Sequence, residues 1–191
     1  MIPDIPKIEG LDEHQVLTLA YCRSYNQYVS MIEQYRAGRC AFCDPLDPVK
    51  NKLIHENMLW RLWVNPFPLP HTELHLVMAS RRHIAPGGEM TAEDFTAMGQ
   101  LFLQAQMTYG FTGGGFVMRF GTPLQSAGTI LHLHANIIIP DRSGAVEVTL
   151  AKDHATIVEQ IARMRVFEKL RLKVEWSELS PEEAKLVIGR Y

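Results

Sequence analysis

The stretch Leu131-His132-Leu133-His134-Ala135-Asn136-Ile137-Ile138-Ile139 constrains this chain more than any other. Polar and apolar side chains alternate from Leu131 to Asn136, which is the period of a strand, where successive side chains point to opposite faces. The pattern predicts a strand over about Ile130–Ile139, with His132, His134, Asn136 and Ile138 on one face. Leu133, Ala135, Ile137 and Ile139 fall on the other and can pack on a core. The polar set has to look into a cleft or onto other polar groups, because burying three such residues without partners is costly. Taken alone, the two histidines fit hydrogen-bonded residues on a sheet face as well as they fit a reaction site.

The remainder of the chain supplies partners for such a strand. Short strands are predicted at about Lys52–His55 and Met58–Val64, joined around Glu56-Asn57, and at Leu74–Ala79, Phe116–Phe120 and, on an edge, Ala145–Leu150. Helical spacing runs from about Asp12 to Arg36, with Gly38 as its stop. Thr91-Ala92-Glu93-Asp94 opens a second helix that Gly110 ends; a third covers about Ala155–Leu170, and Ser180-Pro181-Glu182-Glu183 starts a fourth. A Pro/Asp loop is read at Asp44–Pro48, and the prolines of Asn65–Pro70 exclude regular structure there. Strands mostly joined by hairpins, with helices outside them, make the fold class α+β with an antiparallel sheet. At 191 residues the chain is read as one domain, with a core at about 40–141, an N-terminal helix at about 12–36 and a helical extension at about 154–191.

Charge and composition exclude several roles. A net charge of −2 gives no electrostatic case for nucleic acid or membrane, and no apolar run approaches the roughly 18 residues of a membrane span. The N-terminus lacks the pattern of a signal peptide, so a cytoplasmic location is the expectation. Of the three cysteines, Cys22 lies in a helical pattern and reads as a small buried residue. Cys40-Ala41-Phe42-Cys43 is a C-x-x-C, which by itself fits zinc, a redox pair or chance, although it lacks the strand-to-helix setting of a thioredoxin-like motif.

Thr129-Ile130-Leu131-His132-Leu133-His134-Ala135-Asn136, followed by Ile137-Ile138-Ile139-Pro140, resembles the signature of the histidine triad superfamily. Leu74-His75-Leu76-Val77-Met78-Ala79-Ser80-Arg81-Arg82-His83 resembles that family's preceding strand, so the likeness covers roughly residues 40 to 141. The resemblance implies a histidine-triad-like sheet and binding of a nucleotide or dinucleoside polyphosphate. It also implies a covalent nucleotidyl intermediate on the middle histidine, which is His134 here. A neutral imidazole is a competent nucleophile near neutral pH, since its unperturbed pKa is about 6.5. The same resemblance assigns phosphate binding to Thr129 and to Asn136, which replaces the third histidine. Galactose-1-phosphate uridylyltransferase and diadenosine tetraphosphate phosphorylase relatives carry a glutamine at that place, and this branch is the nearest in motif. Arg119 stands where the family's phosphate loop has an asparagine, and arginine too can bind phosphate.

Zinc-binding members of the superfamily match Cys40, Cys43, His83 and His132, which implies one structural Cys₂His₂ zinc. A competing arrangement puts His132 and His134 on one metal, since strand residues two apart have Cα atoms roughly 6.5–7 Å apart. His75 reads as structural or as support for the site. Trp60 and Trp63 fit core packing better than a base cradle, and Phe67 is read with them. A homodimer is implied by the family. The second functional reading is a zinc-stabilised nucleotide-binding or sensor module that has lost turnover through the two departures from the family pattern, Asn136, which cannot act as a general acid, and Arg119.

Overall fold

The structure, a computed structural model, describes residues 5–44, 49, 51–85 and 87–190. In chain order the elements are α1 (Glu13–Ala20), α2 (Tyr25–Arg36), β1 (Leu53–Glu56), β2 (Trp60–Val64), β3 (Thr72–Ser80), α3 (Ala92–Tyr109), β4 (Gly115–Arg119), α4 (Pro123–Ser126), β5 (His134–Pro140), α5 (His154–Arg171) and α6 (Pro181–Val187). The class is α+β, with one five-stranded antiparallel sheet in the order β1-β2-β3-β5-β4 and flanking helices. Among the described residues no helix is long and apolar enough to cross a membrane. Most of the Asp44–Pro48 loop lies outside the described residues.

Two compact units emerge, each with its own interior. The sheet unit comprises Cys40–Thr122 and His132–Thr149; the helical unit comprises Met1–Arg39, Pro123–Leu131 and Leu150–Tyr191.

In the sheet unit α3 covers one face. Leu76, Met78, Ala135 and Ile137 from the central strands meet Met98, Leu101 and Ala105 of α3, all buried. The ends of α3 follow its sequence signals. Thr91 accepts a hydrogen bond from the Asp94 N–H while Asp94 reaches back to Thr91, and Gly110 closes the helix at φ 68°. Gly114 enters β4 at φ 145°, where a Cβ would lie 2.5 Å from the Ile138 carbonyl oxygen, so only glycine fits.

The helical unit packs α1, α2, α4 and α6 through contacts centred largely on α5 and α1. Tyr25 and Tyr28 of α2 set their rings 6.0 and 5.7 Å from Phe167 of α5. The Tyr28 hydroxyl donates to Glu168 (2.7 Å), which also receives two bonds from Arg171. Cys22 is buried as expected, and burial raises its thiol to about 12.

Three sequence expectations change. The helix expected over Asp12–Arg36 is two helices, because Ser24 starts a new one by accepting from the Gln27 N–H (3.2 Å). Ala145–Leu150 is irregular rather than an edge strand. The last strand begins at His134, not at about Ile130, so His132 lies ahead of it.

Candidate functional site

On the sheet face opposite α3, pairing register puts residues into rows. Directly opposed residues share a face. One row runs Glu56, Arg61, Ala79, His134, Arg119; the next runs Trp63, Val77, Asn136, Val117. His134 and Asn136 therefore stand together as the alternation predicts, with Arg119 beside His134. Because β5 starts only at His134, His132 is free of the alternation, and its ring meets Cys40, Cys43 and His83.

His134 is almost fully buried, and its Nδ1–H donates to the carbonyl of His132 at 2.7 Å. That bond fixes the tautomer and leaves the lone pair on Nε2. Burial pushes the His134 pKa down to about 4; the carbonyl bond opposes this and the Arg119 charge adds to it. At neutral pH the ring is neutral and its Nε2 is nucleophilic.

Asn136 is held by His75, which the sequence reads as structural or as support for the site. The Leu69 N–H donates to His75 Nδ1 (3.0 Å), and a backbone N–H can only donate, so Nδ1 carries the lone pair. Nε2 must then bear the proton, and it donates to Asn136 Oδ1 at 2.9 Å. Asn65 Nδ2 sits 3.1 Å from the same nitrogen. With both atoms donors, that approach is a contact and not a hydrogen bond. The Asn136 amide is thereby turned so that its NH₂ offers donors, and it has no other hydrogen-bond partner among the described residues. The local signal for His75 was its parity on β3, which puts it on the same face as Val77 and Ala79.

Cys40, Cys43, His83 and His132 bring one ligand atom each, all within 4.8 Å of one another. Cys40 Sγ and Cys43 Sγ lie 3.3 and 3.4 Å from His132 Nδ1, and Cys43 Sγ lies 3.3 Å from His83 Nδ1. Bonds of about 2.3 Å to sulfur and about 2.0–2.1 Å to nitrogen, at tetrahedral angles, imply sulfur–nitrogen separations of about 3.5 Å. The donor set thus fits a tetrahedral ion. His132 Nε2 donates to the Ser80 carbonyl at 2.7 Å, which leaves Nδ1 as the ligand nitrogen. Desolvation, with lesser effects from Cys40, pushes Cys43 up to about 12, and desolvation lowers His132 to about 4. His134 is not part of the cluster.

Phe42, between the two cysteines, was not singled out from the sequence. Its ring lies 5.1 Å from those of Trp63 and His134 and 5.5 Å from His132. Its N–H donates to Cys40 Sγ at 3.4 Å, so the C-x-x-C turn holds an aromatic wall against the His134 ring. Trp60 and Trp63 are buried. Arg81 and Arg82 pair with Glu56 and Asp94, each at 2.6 Å.

Thr129 belongs to the helical unit. Its hydroxyl receives the Gln27 amide N–H at 3.4 Å, and its carbonyl accepts from the Tyr35 hydroxyl at 3.3 Å.

No family model matches the sequence, and no curated protein does. Solved structures show some likeness. A histidine triad protein from Clostridium difficile is 15% identical, with a TM-score of 0.43 over 56% of this chain and 96% of that one. A zinc-bound histidine triad family protein from Mycobacterium smegmatis is 15% identical, with a TM-score of 0.41 over 66% and 95%. The diadenosine triphosphate hydrolase of Plasmodium falciparum is 14% identical, with a TM-score of 0.40 over 68% and 81%.

Proposed function

We propose that this chain is an enzyme of the histidine triad kind, acting at the α-phosphorus of a nucleoside phosphate or dinucleoside polyphosphate. The observation that carries the reading is the His134 ring: buried, neutral, tethered through Nδ1–H and, among the described residues, without a hydrogen-bond partner at Nε2. Nε2 attacks phosphorus and becomes nucleotidylated, and water, phosphate or another acceptor then releases the nucleotide. The Asn136 NH₂ and the Arg119 guanidinium bind phosphate oxygens beside it, and Thr129 supplies a further phosphate contact by its place in the motif. Phe42 keeps the imidazole from rotating. The kinship is with the uridylyltransferase and tetraphosphate phosphorylase branch, where an amide also stands third. The chain is read as one domain with helical additions.

Cys40, Cys43, His83 and His132 would hold one zinc, whose role is structural: it would fix the turn carrying Phe42 to the segment leading into β5. A homodimer and a cytoplasmic location, with neither nucleic acid nor membrane as partner, complete the reading. The test is intact-mass analysis after incubation with nucleotides and dinucleoside polyphosphates, followed by alkaline peptide mapping, since phosphoramidates last longer in base. The expected result is a nucleotidyl adduct on His134, absent in His134→Ala together with turnover. An adduct elsewhere, or full activity in His134→Ala, overturns the mechanism. No adduct and no turnover across the panel favours the binding or sensor module.

A further inference from the structure

Cys40 and Cys43 are placed differently from the chain's third thiol. Cys22 is buried in the helical unit, where position makes it inert, whereas in the sheet unit Cys43 is exposed and Cys40 half-buried. The two sulfurs sit on one tight turn, closed by the Asp44 N–H on the Cys40 carbonyl at 2.9 Å. Both approach the same nitrogen, His132 Nδ1, at 3.3 and 3.4 Å, and the ligand atoms of the cluster all lie within 4.8 Å of one another. A cysteine that ligates a metal is held as the thiolate, the nucleophilic form of sulfur. An accessible thiolate with a second sulfur beside it has the arrangement in which an oxidised cysteine is captured as a disulfide before it climbs to higher oxides.

What the sulfurs hold reaches His134. The His132 ring has Nδ1 toward the sulfurs and its Nε2–H on the Ser80 carbonyl, and the His132 carbonyl accepts the His134 Nδ1–H at 2.7 Å. Phe42, between the two cysteines, has its N–H on Cys40 Sγ and its ring 5.1 Å from that of His134. A bond between the sulfurs takes two of the four donors out of the set and leaves His83 and His132, too few for a tetrahedral site.

We infer that the Cys40–Cys43 pair is a site of reversible oxidation by hydroperoxides, and that its closure to a disulfide dismantles the Cys₂His₂ cluster and loosens the segment that sets His134. The inference rests on the zinc reading, to which it adds a form of regulation, and not on what His134 attacks. In the first step Cys43 Sγ attacks one peroxide oxygen and the O–O bond breaks. Hydroxide or an alkoxide leaves and takes a proton from water, and Cys43 becomes a sulfenic acid. In the second step Cys40 Sγ attacks Cys43 Sγ, the S–O bond breaks and hydroxide leaves. Each thiolate gives up one electron, and the peroxide gains both. A dithiol reductant restores the pair by thiol–disulfide exchange.

The test is a titration of the zinc-loaded full chain with hydrogen peroxide, read by free-thiol count, by zinc captured on a chromogenic chelator and by non-reducing peptide mapping. The expected result is loss of two of the three thiols, with Cys22 still reduced. About one zinc per chain should be released in step with a Cys40–Cys43 disulfide. Amide hydrogen exchange should quicken in the peptide carrying His132 and His134, stay unchanged in α3, and return after reduction in the presence of zinc. Cys40→Ser leaves Cys43 without a resolving sulfur and should carry it to the sulfinic acid. Met58, 88% exposed, is the internal gauge of oxidant dose. Both thiols reduced and zinc retained once Met58 is a sulfoxide overturns the inference and leaves the zinc reading standing, as does sulfinic acid on wild-type Cys43 without a disulfide. A disulfide with no change in exchange around His134 overturns the link to that residue. A chain that carries no zinc when purified unstripped overturns both readings. The decisive measurements are made on the unaltered chain, so they stand whether or not Cys40→Ser folds.

Discussion

His132 and His134 are two residues apart, yet their substitutions should give separable effects on metal-linked stability. His132 is buried, its Nε2–H bonds the Ser80 carbonyl at 2.7 Å, and Nδ1 faces the two sulfurs. Replacing it by alanine strands that carbonyl, at about 1–3 kcal/mol, and removes a quarter of the proposed zinc ligands. Metal held at about a thousand times its dissociation constant contributes about 4 kcal/mol to stability. For a chain of 191 residues, at about 2–4 °C per kcal/mol, a chelator should therefore lower the wild-type Tm by about 8–16 °C. His134→Ala should show nearly the same chelator shift, because among the described residues its ring bonds the His132 carbonyl and lies outside the cluster. Phe42 touches both rings, so a residual coupling of about 0.5 kcal/mol is expected. His132→Ala should lose most of the shift and retain little zinc. The assay is thermal unfolding with and without chelator for the three proteins, paired with metal analysis of each. A full chelator shift in His132→Ala refutes the ligand assignment; a shift abolished in His134→Ala refutes the division of labour and puts His134 on the metal.

Two other outcomes are expected. Burial works to raise the Glu168 pKa, but bonds from Arg171 and Tyr28 outweigh it and hold the carboxyl below its ordinary range. The stability it adds is therefore present above the unfolded pKa of about 4.3 and is lost as pH falls through the folded value. In urea titrations Glu168→Gln should be less stable than wild type at pH 7 and converge with it at strongly acid pH; a gap independent of pH would refute this. Gly114→Ala should cost at least about 1–3 kcal/mol, because it strains φ and drives Cβ toward the Ile138 carbonyl. Circular-dichroism melts unchanged by that substitution would show the β4 entry to be looser than described.

The parts of the fold that were legible share one property: their signals are local. Thr91 with Asp94 and the closing Gly110 delimit α3 without reference to any other segment. Alternation identified His134 and Asn136 as neighbours on one face, because a period of two needs no partner strand to be read. One local signal was passed over, and one position had none. Ser24-x-x-Gln27 has the spacing of a helix start and breaks the helix read over Asp12–Arg36. The C-x-x-C motif drew attention to its cysteines and not to Phe42, whose position is decided by rings that lie far along the chain. The sequence reads His75 as structural or as support for the site, but which residue it supports was not legible, since that depends on a loop N–H at Leu69 and on an amide 61 residues away.

The division between the two motif histidines follows from where β5 begins. Had the strand started at Ile130, His132 and His134 would share a face, and two imidazoles at that spacing would compete for one ion or one substrate. Instead the His132 ring is drawn to cysteines 92 and 89 residues earlier in the chain and to the Ser80 carbonyl, and regular pairing starts only at His134. No local periodicity encodes that choice; it is made by partners elsewhere in the sheet unit. The same residue still serves both neighbours, because its ring faces the cysteines while its carbonyl receives the His134 Nδ1–H. Anchoring the His132 ring at both nitrogens therefore fixes the acceptor that sets the His134 tautomer. The placement of His132 thus sets both the geometry of the Cys₂His₂ cluster and the hydrogen bond that leaves the lone pair on His134 Nε2.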